Sequence, residues 1–154
     1  MQIRPATAAD DPILVRHYLA LWESYGTPPE HYWADSEARI LAFIVEGRDR
    51  WRLAAFLAEE GGEVVGSVAC QMYASPYPEV VAAEHRCFGY IWSVYVDPQH
   101  RRRGVARGLV ERAVAHLKAM DCTHVALHAS EAGKPLYEGL GFEPATEMRL
   151  PLRR

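Results

Sequence analysis

The chain has 154 residues, 49% apolar and 24% charged, with a formal net charge of −3. That length suits one domain over residues 1–154 with a substantial core, and the mild acidity excludes a general nucleic-acid binder. The chain has no apolar run of about 18 residues and no hydrophobic leader, so neither membrane spanning nor export is expected. Cys70, Cys87 and Cys122 are odd in number and too far apart for a C-x-x-C motif. They read as reduced thiols of a cytoplasmic protein.

Met1–Pro5 predicts a short first strand. Thr7 caps a helix carrying Ile13, Leu14, Tyr18, Leu21 and Trp22, with Asp10 and Asp11 suiting its first turn. Gly26-Thr27-Pro28-Pro29 ends it. A second helix is expected from Asp35 or Ser36 to Val45, with Gly47 just past its end. Between the two, Tyr25, His31, Tyr32 and Trp33 either pack the helices together or wall an acceptor pocket. Trp51–Ala58 and Val64–Met72 flank Glu59-Glu60-Gly61-Gly62 and form a hairpin. Tyr73–Arg86, with Pro76 and Pro78, is a loop of a length that often carries function. Cys87–Val96 is a nearly continuous apolar run, which predicts a strand buried on both faces. Thr123–Ala129 gives a further strand, Glu131–Leu140 a short helix stopped by Gly141, and Glu147–Leu152 a last strand. Hairpin order followed by a strand–helix–strand crossover makes a mixed α/β sheet (α+β in strict usage) with helices on both sides.

The chain is organised around residues 91–108, IWSVYVDPQHRRRGVARG. Pro98 ends the strand, and the residue before it is held extended, so the chain turns at Asp97-Pro98. From Val105, the residues Leu109, Val110, Ala113, Val114 and Leu117 recur at helical spacing. The first turn of such a helix presents about four unpartnered N–H groups and the positive end of the helix dipole. Gly104 admits close approach to the backbone, small Ala106 keeps the turn open, and arginines stand beside it. Together they make a phosphate pocket, unless the corner is an ordinary strand–turn–helix junction with a solvated basic turn.

Arg101-x-x-Gly104-x-Ala106 directly after VYVDP resembles the acetyl-CoA pyrophosphate loop of GNAT-type N-acetyltransferases. The stretch LYEGLGF, Leu136–Phe142, follows a strand some 30 residues later and resembles the second cofactor motif of that superfamily. The two motifs occur in the right order, and the resemblance spans roughly residues 1–150. It implies a central mixed sheet of six to seven strands, splayed between the fourth and fifth, with helices on both faces. It further implies transfer of an acetyl group from acetyl-CoA to a primary amine of a small molecule or peptide.

By that resemblance, the backbone of Val94 and Val96 pairs with the pantetheine arm like an added strand. The loop Arg101, Arg102, Arg103, Gly104, Val105, Ala106 and Arg107 holds the pyrophosphate, largely through its amides. Tyr137 matches the tyrosine that acts as general acid on the departing thiolate. Ser130 stands where the family often has an asparagine, a hydroxyl of shorter reach. Gly133 replaces a common alanine. Trp92 occupies the slot of a frequent glutamate, so the usual general base is missing. Glu84, His85, Ser93 through a water, and His128 are the candidates for that task, each position able to contribute roughly 10²–10⁴-fold. A backbone N–H near Val94 serves the oxyanion, a donor typically worth about 3 kcal/mol. Tyr25, Trp33, Glu84 and Trp92 are the candidate acceptor-binding residues, suited to a cationic amine or to plain packing. No metal is expected, because His124 and His128 share a strand face about 13 Å apart. A donor with a longer acyl chain and a catalytically silent CoA-binding module are the alternatives. Such a fold is compatible with a homodimer.

Overall fold

The computed structural model describes residues 1–73 and 75–152; Ala74, inside the expected Tyr73–Arg86 loop, and Arg153 and Arg154 lie outside the described residues. Among the described residues five strands form one sheet in the order β1-β2-β3-β4-β5. They are β1 (Gln2–Pro5), β2 (Ala54–Glu60), β3 (Glu63–Met72), β4 (Phe88–Val96) and β5 (His124–Ala126). The first three pairings are antiparallel and β4–β5 is parallel, so the sheet is mixed. The expectation of six to seven strands is therefore corrected to five. Glu147–Leu152 has the alternation of a strand, but Met148, Leu150 and Leu152 are 94%, 81% and 88% exposed. A strand exists only where a ladder completes its backbone hydrogen bonds, and β5 offers a bare three residues at the edge.

Among the described residues there are four α-helices: α1 (Asp11–Ser24), α2 (Ser36–Trp51), α3 (Val105–Ala119) and α4 (Lys134–Glu138). Thr7 caps a single 3-10 turn, Ala8–Asp10, rather than α1 itself. The Asp10 carboxylate accepts from the Thr7 N–H at 2.8 Å and from both ends of the Arg4 fork at 2.9 Å. The Arg4 guanidinium thereby holds Asp10 well below the usual carboxylate range. The second helix does not stop before Gly47 but runs on to Trp51, and Arg52 ends it with φ 52°. Gly47 serves packing instead, since a Cβ there would stand 2.7 Å from Leu53 Cδ1. The last helix is shorter than Glu131–Leu140. Pro135 suits only the first turn of a helix, so α4 begins beside it.

The two faces of the sheet carry separate cores because side chains alternate along each strand. Phe56, Ala58, Val68, Cys70 and Ile91 meet Leu109, Val110, Ala113 and Leu117 of α3. On the opposite face Ala55, Leu57 and Ala69 meet Leu14 and Val15 of α1 and Ile44 of α2. Leu109 and Leu117 are fully buried, each stabilising the α3 contact by roughly 1.5–3 kcal/mol. Leu109 and Val105 thereby hold the start of α3 over Gly66, the partner of Val96, while Leu117 packs on Gly89 at the start of β4. Among the described residues no helix is long and apolar enough to cross a membrane.

Candidate active site

The site begins with a register shift. Ser67 lies opposite Tyr95, but Ala69 lies opposite Trp92, so β4 has one more residue than β3 over this stretch. Ser93 absorbs the excess with φ 54°. Such a bulge leaves a backbone group unpaired and bends the strand. On its other edge β4 pairs with β5 only from Phe88 to Tyr90. From Ile91 to Val96 that edge has no strand partner among the described residues, and its N–H and C=O groups face an opening. Arg101 Nε donates to the Val96 carbonyl at 3.0 Å.

After β4 the chain turns through Pro98–His100. Arg102 then adopts φ 61° and Gly104 φ 83°. The first bond of α3 runs from the Gly108 N–H to the Gly104 carbonyl, at 3.1 Å. No side chain caps this end, and among the described residues no protein acceptor meets the amides from Arg102 through Arg107. Arg103 pairs with Glu60 at 3.0 Å and Arg107 with Glu111 at 3.6 Å, while Arg102 has no ion pair among the described residues. The corner therefore gathers uncapped backbone donors of the kind that suit an anion.

A cleft of about 700 Å³ joins these two features. It runs from the α3 corner along Val94 and Val96 to Ser130 and Tyr137 beside α4. Burial pushes the Tyr137 phenol up to about 12, so it keeps its proton at neutral pH. The Tyr137 ring meets Phe142 edge-on at 5.9 Å. Ser130 Oγ accepts from the Gly133 N–H at 3.1 Å. A Cβ on Gly133 would stand 3.0 Å from Tyr137 Cε2, so the glycine leaves room for the phenol ring. Behind the cleft, His17 is 4% exposed, its Nδ1 2.9 Å from Ser67 Oγ and its ring 4.5 Å from that of Tyr95. Burial pushes this imidazole down to about 4.

The fold brings most of the expected residues together. Val94, Val96, Arg101, Arg102, Gly104, Val105, Ala106, Arg107, Ser130 and Tyr137 all line the cleft, as do Tyr25 and Trp92. Arg103 points to Glu60 instead. Trp33 lies outside the cleft, exposed beneath the Arg39 guanidinium at 4.3 Å. Glu84 and His85 sit in the exposed loop before β4, whereas Ser93 and His128 line the cleft. A second cleft of about 820 Å³ shares Leu127, His128 and Tyr137 with the first. In it the Tyr90 hydroxyl bonds His128 Nδ1, and His128 Nε2 lies 3.4 Å from Glu147 Oε1. Tyr90 was hidden within an apolar run, and only the parallel pairing with β5 brings it to His128. Leu21 and Ser24, at the end of α1, also enter the first cleft; the helical spacing of Leu21 signalled burial and nothing more, and Ser24 carried no signal.

Residues 15–142 match the acetyltransferase (GNAT) family. The chain belongs to that family. Curated relatives include N-alpha-acetyltransferase 30 of Xenopus laevis, 33% identical over 97 residues, which are 60% of this chain and 32% of that protein. Glucosamine 6-phosphate N-acetyltransferase of Trypanosoma brucei brucei is 32% identical over 98 residues, 63% of each chain. The chain spans between 24% and 32% of the length of the N-alpha-acetyltransferase 30 proteins it matches. Among solved structures, a GCN5-related N-acetyltransferase from Ralstonia eutropha JMP134 superposes with a TM-score of 0.82 at 29% identity, covering 98% of this chain and 97% of that one. An acetyltransferase from Clostridium acetobutylicum, solved with acetyl-CoA, gives 0.82 at 24% identity, covering 98% and 96%; it speaks for the fold. In this GNAT chain the uncapped start of α3 and the open edge of β4 both lie within the residues that the family model matches.

Proposed function

We propose that residues 1–154 act as one cytoplasmic N-acetyltransferase domain, moving an acetyl group from acetyl-CoA to a primary amine of a peptide or small molecule. One observation carries this reading: the unpaired edge of β4 and the uncapped start of α3 open into the same cleft. Val94 and Val96 offer sheet hydrogen bonds to the amides of the pantetheine arm. The amides from Arg102 through Arg107, with the Arg102 guanidinium, hold the diphosphate. The bulge at Ser93 supplies a backbone N–H to the developing oxyanion. Tyr137, protonated at neutral pH, delivers its proton to the leaving sulfur. His128 is the candidate base, because it borders both clefts and is oriented by Glu147 and Tyr90.

Trp92 favours a short acyl group. Its ring is fixed edge-on between Tyr18 at 5.5 Å and Phe43 at 5.4 Å, and its Nε1 donates to Gln71 at 3.2 Å. The names of the relatives, one acting on α-amines and one on an amino sugar phosphate, support a primary amine as the acceptor class. Titration calorimetry with acetyl-CoA tests the reading, followed by release of free thiol over a panel of amines. Saturable binding and amine-dependent thiol release are expected. Folded protein that gives no heat with acetyl-CoA overturns the proposal.

A further inference from the structure

A second chemical feature lies at the other end of β4, away from the cleft. All three cysteines of the chain are free, although they come from β3, the start of β4 and the turn after α3. Cys87 Sγ stands 4.0 Å from Cys122 Sγ, and Cys122 Sγ stands 3.7 Å from Met72 Sδ. Cys87 and Cys122 are both half-buried, whereas Cys70 is fully buried. The backbones that carry the pair are already tied together. The Cys87 carbonyl accepts from the Thr123 N–H at 2.7 Å and the His124 N–H at 3.1 Å, and the Cys87 N–H donates to Thr123 Oγ1 at 2.9 Å. Side-chain rotation is then what separates the present spacing from a bond of about 2.05 Å.

We propose that Cys87 and Cys122 form a modifiable dithiol, which a low-molecular-weight disulfide converts into an intrachain disulfide. The Cys87 thiolate attacks one sulfur of the reagent, forming a mixed disulfide and releasing a thiolate that takes up a proton. The Cys122 thiolate then attacks the Cys87 sulfur, the protein S–S bond forms, and the second reagent thiolate leaves and is protonated. In sum, the two protein thiols lose two protons and one electron pair, and the reagent disulfide takes them up to become two thiols.

The order of attack follows from the surroundings. Burial, and then the neighbouring Cys87, push the Cys122 thiol up to about 11, so Cys122 gives up its proton only as it resolves the adduct on Cys87. Burial pushes Cys70 up to about 12 and leaves it inert. The bond closes a loop that contains both β4 and α3. Cross-links stabilise mainly by restricting the unfolded chain, and more so for longer loops. This site does not depend on the acetyltransferase reading.

The test is incubation of the full chain with oxidised glutathione in mildly alkaline buffer, followed by alkylation and peptide mapping without reductant. The expected product is lighter by two hydrogens, yields a Cys87–Cys122 cross-linked peptide, and melts at a higher Tm that dithiothreitol reverses. Cys122→Ser should stop at a Cys87–glutathione adduct, and Cys70→Ser should leave the cross-link intact. Wild type in which both thiols stay open to alkylation, in which the adduct never resolves, or in which Cys70 forms the bond, overturns the proposal.

Discussion

The two ends of β4 differ in what completes their backbone. At its start, Phe88 to Tyr90 pair with β3 on one side and β5 on the other, and Gly89 lies tight against Leu117. At its far end, the same strand keeps its β3 partner but carries a bulge at Ser93 and loses β5 altogether. The closed end is therefore governed by packing and the open end by hydrogen-bonding capacity left over for something outside the chain. A strand that stays rigid on one edge while exposing the other is a preorganised partner for an extended, amide-bearing ligand. The uncapped amides from Arg102 through Arg107 continue that open backbone around the corner.

Substitutions at the two ends should separate along the same line. The largest effect is expected from Tyr137→Phe. In the proposed mechanism it removes the acid, and it should lower kcat by about 10²–10⁴-fold, with KM for acetyl-CoA nearly unchanged in steady-state kinetics. Next comes the buried imidazole that supports the open end. His17 has a folded pKa of about 4, below the ordinary value of 6.5, so as pH falls the unfolded chain binds this proton first. Its contribution is complete above the unfolded pKa and is lost progressively down to the folded one, by roughly 3 kcal/mol. Tm measured against pH should show that decline in wild type, and its difference from His17→Gln should trace the same window.

At the closed end, Gly89→Ala places a Cβ 2.6 Å from Leu117 Cδ2. Overpacking of this kind costs about 1–3 kcal/mol, which should lower Tm and leave KM for acetyl-CoA alone. At the open end, Gly104→Val puts a branched side chain at φ 83°, where no neighbour lies within 4 Å of the Cβ position. The left-handed backbone then costs roughly 1–2 kcal/mol with no packing clash. A rise of about tenfold in KM for acetyl-CoA is expected. Equal responses of KM at the two glycines would erase the distinction between the ends.

The strand–turn–helix corner was legible in the sequence because Pro98, Gly104 and the apolar spacing from Val105 to Leu117 act through local geometry. The hairpin of β2 and β3, with Gly61 and Gly62 at its turn, was legible for the same reason. Three features were not. Gly47 looks like a helix stop in sequence, yet it lies inside α2 because Leu53 packs onto its bare Cα. Glu147–Leu152 has strand alternation but no ladder. The bulge at Ser93 has no signature of its own, since it exists only as a mismatch in register with β3.

What the chain of residues determined unaided is everything that depends on neighbours a few positions apart: the turn at Asp97-Pro98, the amphipathic face of α3, and the motif pair that resembles the GNAT family. What only the tertiary structure decided is how far separated segments meet: five strands, an unpaired edge on β4, Tyr90 against His128, and Cys87 against Cys122. The reason is physical. Local backbone preferences are fixed by sterics and hydrogen bonds within a turn, whereas pairing between distant strands is settled by the burial of both faces of the sheet at once.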